Sequence, residues 1–197
     1  MTMTVLLIVL FAIVPVAIYY YRQWVMSQPR LQWPVLAKLS NLQFEDNPPR
    51  LSGKWNGWKV AVDVYRGGVR VAALLPLASR LRIEIGPREE VTRRAGMVVP
   101  DPVLTGDHVF EDRLLARCSD KAAGLKIMEP ALRQRLFSMK AVEVLGKGQM
   151  VQCLLPELRD PDILDHALDI LTVIAEEMMN FPGGTAAARD AEEDSSQ

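Results

Sequence analysis

The chain has 197 residues, with 23 Lys and Arg against 24 Asp and Glu, for a formal net charge of −1. That balance excludes the broad basic field that nucleic-acid binders present to phosphate. Once an N-terminal apolar run and an acidic tail are set aside, roughly 150 residues remain, room for one hydrophobic core rather than two.

The first element is the run at positions 5–21, VLLIVLFAIVPVAIYYY, which carries no charge and is followed at once by Arg22. As a helix it would be ~25 Å long at ~1.5 Å per residue, close to the ~30 Å hydrocarbon core. Tyr19, Tyr20, Tyr21 and Trp24 supply an aromatic belt, and Pro15 is tolerated in a membrane helix. A signal peptide would begin with basic residues and end in small ones; this run does neither. A buried core helix is the third reading. The expectation is a transmembrane anchor over 1–24. Arg22, Arg30 and Lys38 all follow the run, which puts the rest of the chain on the cytoplasmic side of the cell membrane as a single-pass protein.

Pro34 suits the first turn of a helix, and Val35, Leu36, Leu39 and Leu42 recur on one face, so a short helix is predicted over 34–43. Asn47-Pro48-Pro49 breaks the chain. Asn56-Gly57 between two apolar runs predicts a hairpin of 51–55 against 58–65. A two-residue turn would set Trp55 opposite Trp58 and Lys54 opposite Lys59 on the other face. Gly67-Gly68 predicts a second turn, leading into strands over 69–75 and 80–85 with one wet face and one dry face. A short helical turn is read near 89–93, then a strand over 112–118. Ser119 is read as the cap of a helix from Asp120, broken at Pro130 and ending near Met139. A second hairpin is read over 141–155 across Gly146-Lys147-Gly148. The last helix, capped by Asp160 with Pro161 at its first position, runs to about Phe181. Its stripe of Ile163, Ala167, Ile170, Leu171, Ile174 and Met178 predicts packing across a sheet. Strands followed by helices, without βαβ alternation, define an α+β domain over 25–181. Residues 182–197 are small and acidic and read as a disordered tail.

Chemistry is harder to find. Cys118 and Cys153 form no CxxC pair and read as buried free thiols. His108 lies beside Asp107, Glu111 and Asp112, but its spacing matches no ligand pattern. His166 has Asp162 and Asp169 on its own helical face, the pattern of a solvated surface with local ion pairing. Neither predicts a metal site. No nucleophile elbow and no phosphate loop occur, so no cofactor is implied and catalysis is the less favoured reading.

Phe110-Glu111, Asp120, Ala123, Ile127-Met128-x-Pro130-x-Leu132 and Arg135-Leu136 resemble the core of an uncharacterised bacterial family of membrane-anchored proteins, over about residues 106–140. Leu114 stands where that family's pattern has Phe, and the anchor here is single. The resemblance implies the layout of anchor, β-rich segment and strand–helix–hairpin, and no activity. The function expected is therefore a membrane-anchored binding or scaffolding module for a protein partner, with no nucleic acid involved. The contact candidates are Trp55, Trp58, Lys54 and Lys59, where indoles and lysines together also suit a headgroup surface. A membrane-tethered hydrolase and a lipid or small-ligand module are the alternatives.

Overall fold

The computed structural model describes residues 13–15, 17–18, 20–21, 29–93, 100–139 and 142–181. Helix α1 (Pro29–Leu39) begins five residues earlier than the periodicity suggested and takes Pro34 into its interior. The reason is the indole of Trp33. Starting at Pro29 puts Trp33, Leu36 and Ala37 on one buried face, while Val35 and Leu39 turn to solvent. This face packs on two strands, β1 (Gln43–Asp46) and β2 (Pro49–Trp55), which are joined through a cis Asn47–Pro48 bond.

At the next turn Asn56 and Gly57 take φ of 47° and 87°, as a type I′ turn requires, and β3 (Trp58–Tyr65) runs back beside β2. The following turn places Arg66 and Gly67 at positive φ, one residue earlier than expected. Gly68 instead opens β4 (Gly68–Pro87), where a Cβ would stand 2.6 Å from the Leu155 carbonyl oxygen. The two strands expected over 69–85 are this single 20-residue strand. Register shifts between Leu74, Ser79 and Ile83 bend it.

Helix α2 (Arg88–Arg93), β5 (Asp101–Pro102), α3 (His108–Arg113) and β6 (Leu114–Cys118) follow. The strand expected from 112 is shortened because Asp107 caps a helical turn, its Oδ1 accepting from the Phe110 N–H at 3.1 Å. Helices α4 (Lys121–Ile127) and α5 (Pro130–Ser138) divide at Pro130 as predicted. The cap of α4 is Asp120, accepting from the Ala123 N–H at 2.8 Å; the Ser119 hydroxyl accepts from the Arg82 N–H instead.

The hairpin expected over 141–155 is one strand, β7 (Glu143–Leu155), paired along β4. Gly146 and Gly148 do not turn the chain. A Cβ on Gly146 would meet Ile83 Cγ2 and Met178 Sδ, each at 2.7 Å, and Gly148 takes φ 62° where the register with β4 slips. All pairings are antiparallel, in the order β1-β2-β3-β4-β6-β5, with β7 on the other edge of β4. Helix α6 (Pro161–Met179), capped by Asp160, lies across β4 and β7. Leu164, Ala167, Leu168, Ile170, Leu171, Ile174 and Ala175 are wholly buried against the sheet, whereas Ile163 is exposed. The α+β domain with antiparallel strands and a long C-terminal helix stands.

The membrane-spanning part of the expected fold is corrected. Among the described residues no helix is long and apolar enough to cross a membrane. The longest, α6, is amphipathic, with Asp162, Asp165, Asp169, Glu176 and Glu177 along its length. The described residues of the 5–21 run are helical; its other residues, and the tail at 182–197, lie outside the described residues. The single-pass anchor expected over 1–24 thus has no spanning helix behind it among the described residues.

Candidate functional site

The β2–β3 tip brings the four sequence candidates together. Trp55 pairs with Trp58 and Lys54 with Lys59. Both indoles pack half-buried against the core, and Trp55 Nε1 donates to Asp169 Oδ1 on α6 at 2.9 Å. That bond fixes the tip to the helix and keeps the Trp55 indole from being a free docking ring. On the opposite face Lys54 and Lys59 are exposed. Across the register Lys59 stands beside Leu74, and Leu74 beside Met150. The result is an open groove of about 700 Å³ lined by Lys54, Trp58, Lys59, Leu74, Pro76 and Gln149.

The charge in this groove is not balanced locally. Further along the same face the Arg70 guanidinium grips Asp63 at 2.6 and 2.9 Å and lies 4.8 Å from the Tyr65 ring centre. The hydrogen bond to Asp63 holds the Arg70 pKa above its ordinary value. At the tip, among the described residues, neither lysine has an ion-pair partner. Like charges directly opposite each other are mildly destabilising, so an anionic group between them would be stabilising. Leu74, Pro76 and Gln149 belong to the site but are invisible in the sequence, because only the strand register sets them beside the lysines.

The histidines do not assemble a reaction centre. His108 is exposed at the start of α3. Its acidic neighbours are committed elsewhere: Asp107 caps α3 and pairs with Arg133 at 2.8 Å, and Glu111 accepts from the Thr105 N–H, the Thr105 hydroxyl and the Gly106 N–H at 2.6–3.0 Å. Burial pushes the Glu111 carboxyl up, but these hydrogen bonds outweigh it and hold the carboxyl below its ordinary value. His166 lies exposed with Nδ1 2.6 Å from the Asp162 carbonyl oxygen, and Asp169 is taken by Trp55. Among the described residues no group of three or more His, Cys, Asp or Glu side chains could hold a metal ion.

Both cysteines are free and buried. Burial raises the Cys118 thiol, and at Cys153 it pushes the pKa up to about 12. Neither is a nucleophile in the folded chain. A thiol reagent at neutral pH is expected to leave Cys153 unmodified until denaturant is added; fast labelling in the native state would contradict that burial. Between the ordinary value of 9.0 and about 12 the unfolded chain gives up a proton that the folded chain keeps. Stability is therefore expected to fall as pH rises through that window, and a denaturation series above pH 9 measures it.

No family model matches the chain, and no curated protein matches it. The resemblance of 106–140 to a bacterial family thus has no family match behind it; in the structure that stretch forms α3, β6, α4 and α5. Among solved structures, the chain is similar to the mycobacterial trehalose monomycolate transport factor A, TtfA. The two share 9% identity and a TM-score of 0.56, over 78% of this chain and 96% of that one. At this identity the likeness shows a shared α+β fold.

Proposed function

We propose that the domain is a docking module whose β2–β3 groove takes an acidic, partly apolar segment of a partner protein. The observation that carries this reading is the pair of unmatched lysines, Lys54 and Lys59, beside the exposed Leu74 in one groove. Exposed lysines next to apolar surface favour a ligand that brings both carboxylates and aliphatic groups. The fold shared with a protein described as a transport factor fits a binding role. A hydrolase has no converging titratable groups to stand on at either histidine. A carrier of small apolar ligands is poorly served by a groove open to solvent.

A photo-crosslinking side chain at Leu74 of the full-length chain, used in the source cell, tests the reading. The expected result is an adduct to a protein that is lost in Lys54→Glu/Lys59→Glu while the fold is kept. Adducts only to lipid, or protein adducts unchanged by the charge reversal, would overturn it.

A further inference from the structure

The surface around the groove carries more cations than its two lysines. Arg80 and Lys147 are also exposed, beside the Ser79–Gly148 pair, one on each strand, where β4 and β7 slip in register. Among the described residues Lys54, Lys59, Arg80 and Lys147 make no ion pair. Arg82, further along β4, is held by Glu84. Positions 54–62, 71–83 and 144–156, the strand segments that form this end of the sheet, contain no Asp or Glu. A patch of one sign with no counter-charge in its own strands attracts an anionic segment.

The chain leaves the domain at the same place. The Ser79 hydroxyl donates to the Met178 carbonyl oxygen, in the last turn of α6, at 2.9 Å. Ser79 pairs with Gly148, and Gln149, the next residue of β7, lines the groove. One or two residues of strand, about 7 Å, thus separate the end of α6 from the end of the groove. Phe181 still packs on the core. Beyond it come Pro182-Gly183-Gly184 and then Asp190, Glu192, Glu193 and Asp194, with Arg189 the one cation among them. Asp190 is nine residues past Phe181, and that length of chain reaches up to about 30 Å when extended. It is ample for the gap.

We propose that the acidic segment 190–194 seats on the patch of Lys54, Lys59, Arg80 and Lys147 and covers the β2–β3 groove from within the chain. Four carboxylates then meet four cations that have no other partner. Ion pairs on an exposed surface are individually weak. A tether this short, however, presents the segment at about millimolar effective concentration, so a weak contact suffices to hold it. The contact makes the chain its own competitor, a consequence that rests on the groove reading: a partner's acidic segment must displace this one. Ala191 is the only apolar residue within 190–194. The segment therefore neutralises the lysines without covering Leu74, and a partner that brings both carboxylates and aliphatic groups displaces it.

Carbodiimide coupling of the full-length chain, which joins a carboxylate to an amine in direct contact, tests the inference. Peptide mapping of the monomer is expected to find 190–194 joined to Lys54, Lys59 or Lys147. Lys121 is the control: it is exposed on α4, the helix that meets the last turn of α6 through the Lys126–Glu177 pair, and it is expected to stay uncoupled. The links are expected to vanish in about 1 M salt, where the screening length falls to about 3 Å. Asp190→Asn/Glu192→Gln/Glu193→Gln/Asp194→Asn is expected to raise the protein adduct from the crosslinker at Leu74 about two- to fivefold. Equal coupling to Lys121, coupling only between two chains, or no coupling together with an unchanged Leu74 adduct in the neutralised chain would overturn the internal contact and leave the groove reading in place. Links to Lys54 and Lys59 without any protein adduct at Leu74 in the neutralised chain would uphold the contact and overturn the partner reading instead.

Discussion

Ile170→Ala is expected to lower the free energy of unfolding by about 2–5 kcal/mol. Ile170 is wholly buried on α6, with Leu171, Ala167 and Ile174 around it on the face that covers β4 and β7. Removing three carbons there leaves a cavity that a helix pinned across two long strands cannot collapse. A total stability of about 5–15 kcal/mol makes this a large fraction. The midpoint of denaturant unfolding reads it directly, with Ile163→Ala, exposed on the same helix, as the control. A shift at Ile170 no larger than that at Ile163 would mean that α6 does not complete the core.

Trp33→Ala is expected to cost about 3–5 kcal/mol. Its indole is 1% exposed and fills the space between α1 and the β1–β2 edge of the sheet. This substitution also separates two placements of the first helix. If the helix ran over 34–43, Trp33 would end a linker and its loss would be small, while Val35 and Leu39 would matter. In the structure Val35 is exposed, so Val35→Ala is expected to fall within about 0.5 kcal/mol of the parent. A larger loss at Val35 than at Trp33 would restore the later helix.

What could be read from the sequence was local. The Asn56-Gly57 turn fixes its own backbone, so the facing pairs Trp55–Trp58 and Lys54–Lys59 followed from spacing alone. Asp160 and Pro161 announce the start of α6, and its stripe marks the buried face. What failed was decided by distant partners. Gly146-Lys147-Gly148 has the composition of a turn, but Ile83 and Met178 press on Gly146 and β4 lies alongside, so the chain continues as one strand through a slip in register. The break read between 75 and 80 is a bend within β4, visible only once β3, β6 and β7 share its edges. The groove belongs to this second class. Its lysines are adjacent in the hairpin, but Leu74, Pro76 and Gln149 join them through register across three strands. The indoles, paired as foreseen, serve the core: Trp55 is held by Asp169, more than a hundred residues away in the chain.

Docking of the acidic partner in the β2–β3 groove can be checked by a positional comparison of photo-crosslinkers. Three exposed apolar side chains border three separate hollows: Leu74 in the groove, Val109 between α3 and α5, and Ile163 beside His166. The same crosslinker is placed at each in turn in the full-length chain. A protein adduct is expected at Leu74 alone, removed by Lys54→Glu/Lys59→Glu. The same adduct at Val109 or Ile163 with none at Leu74 would contradict it.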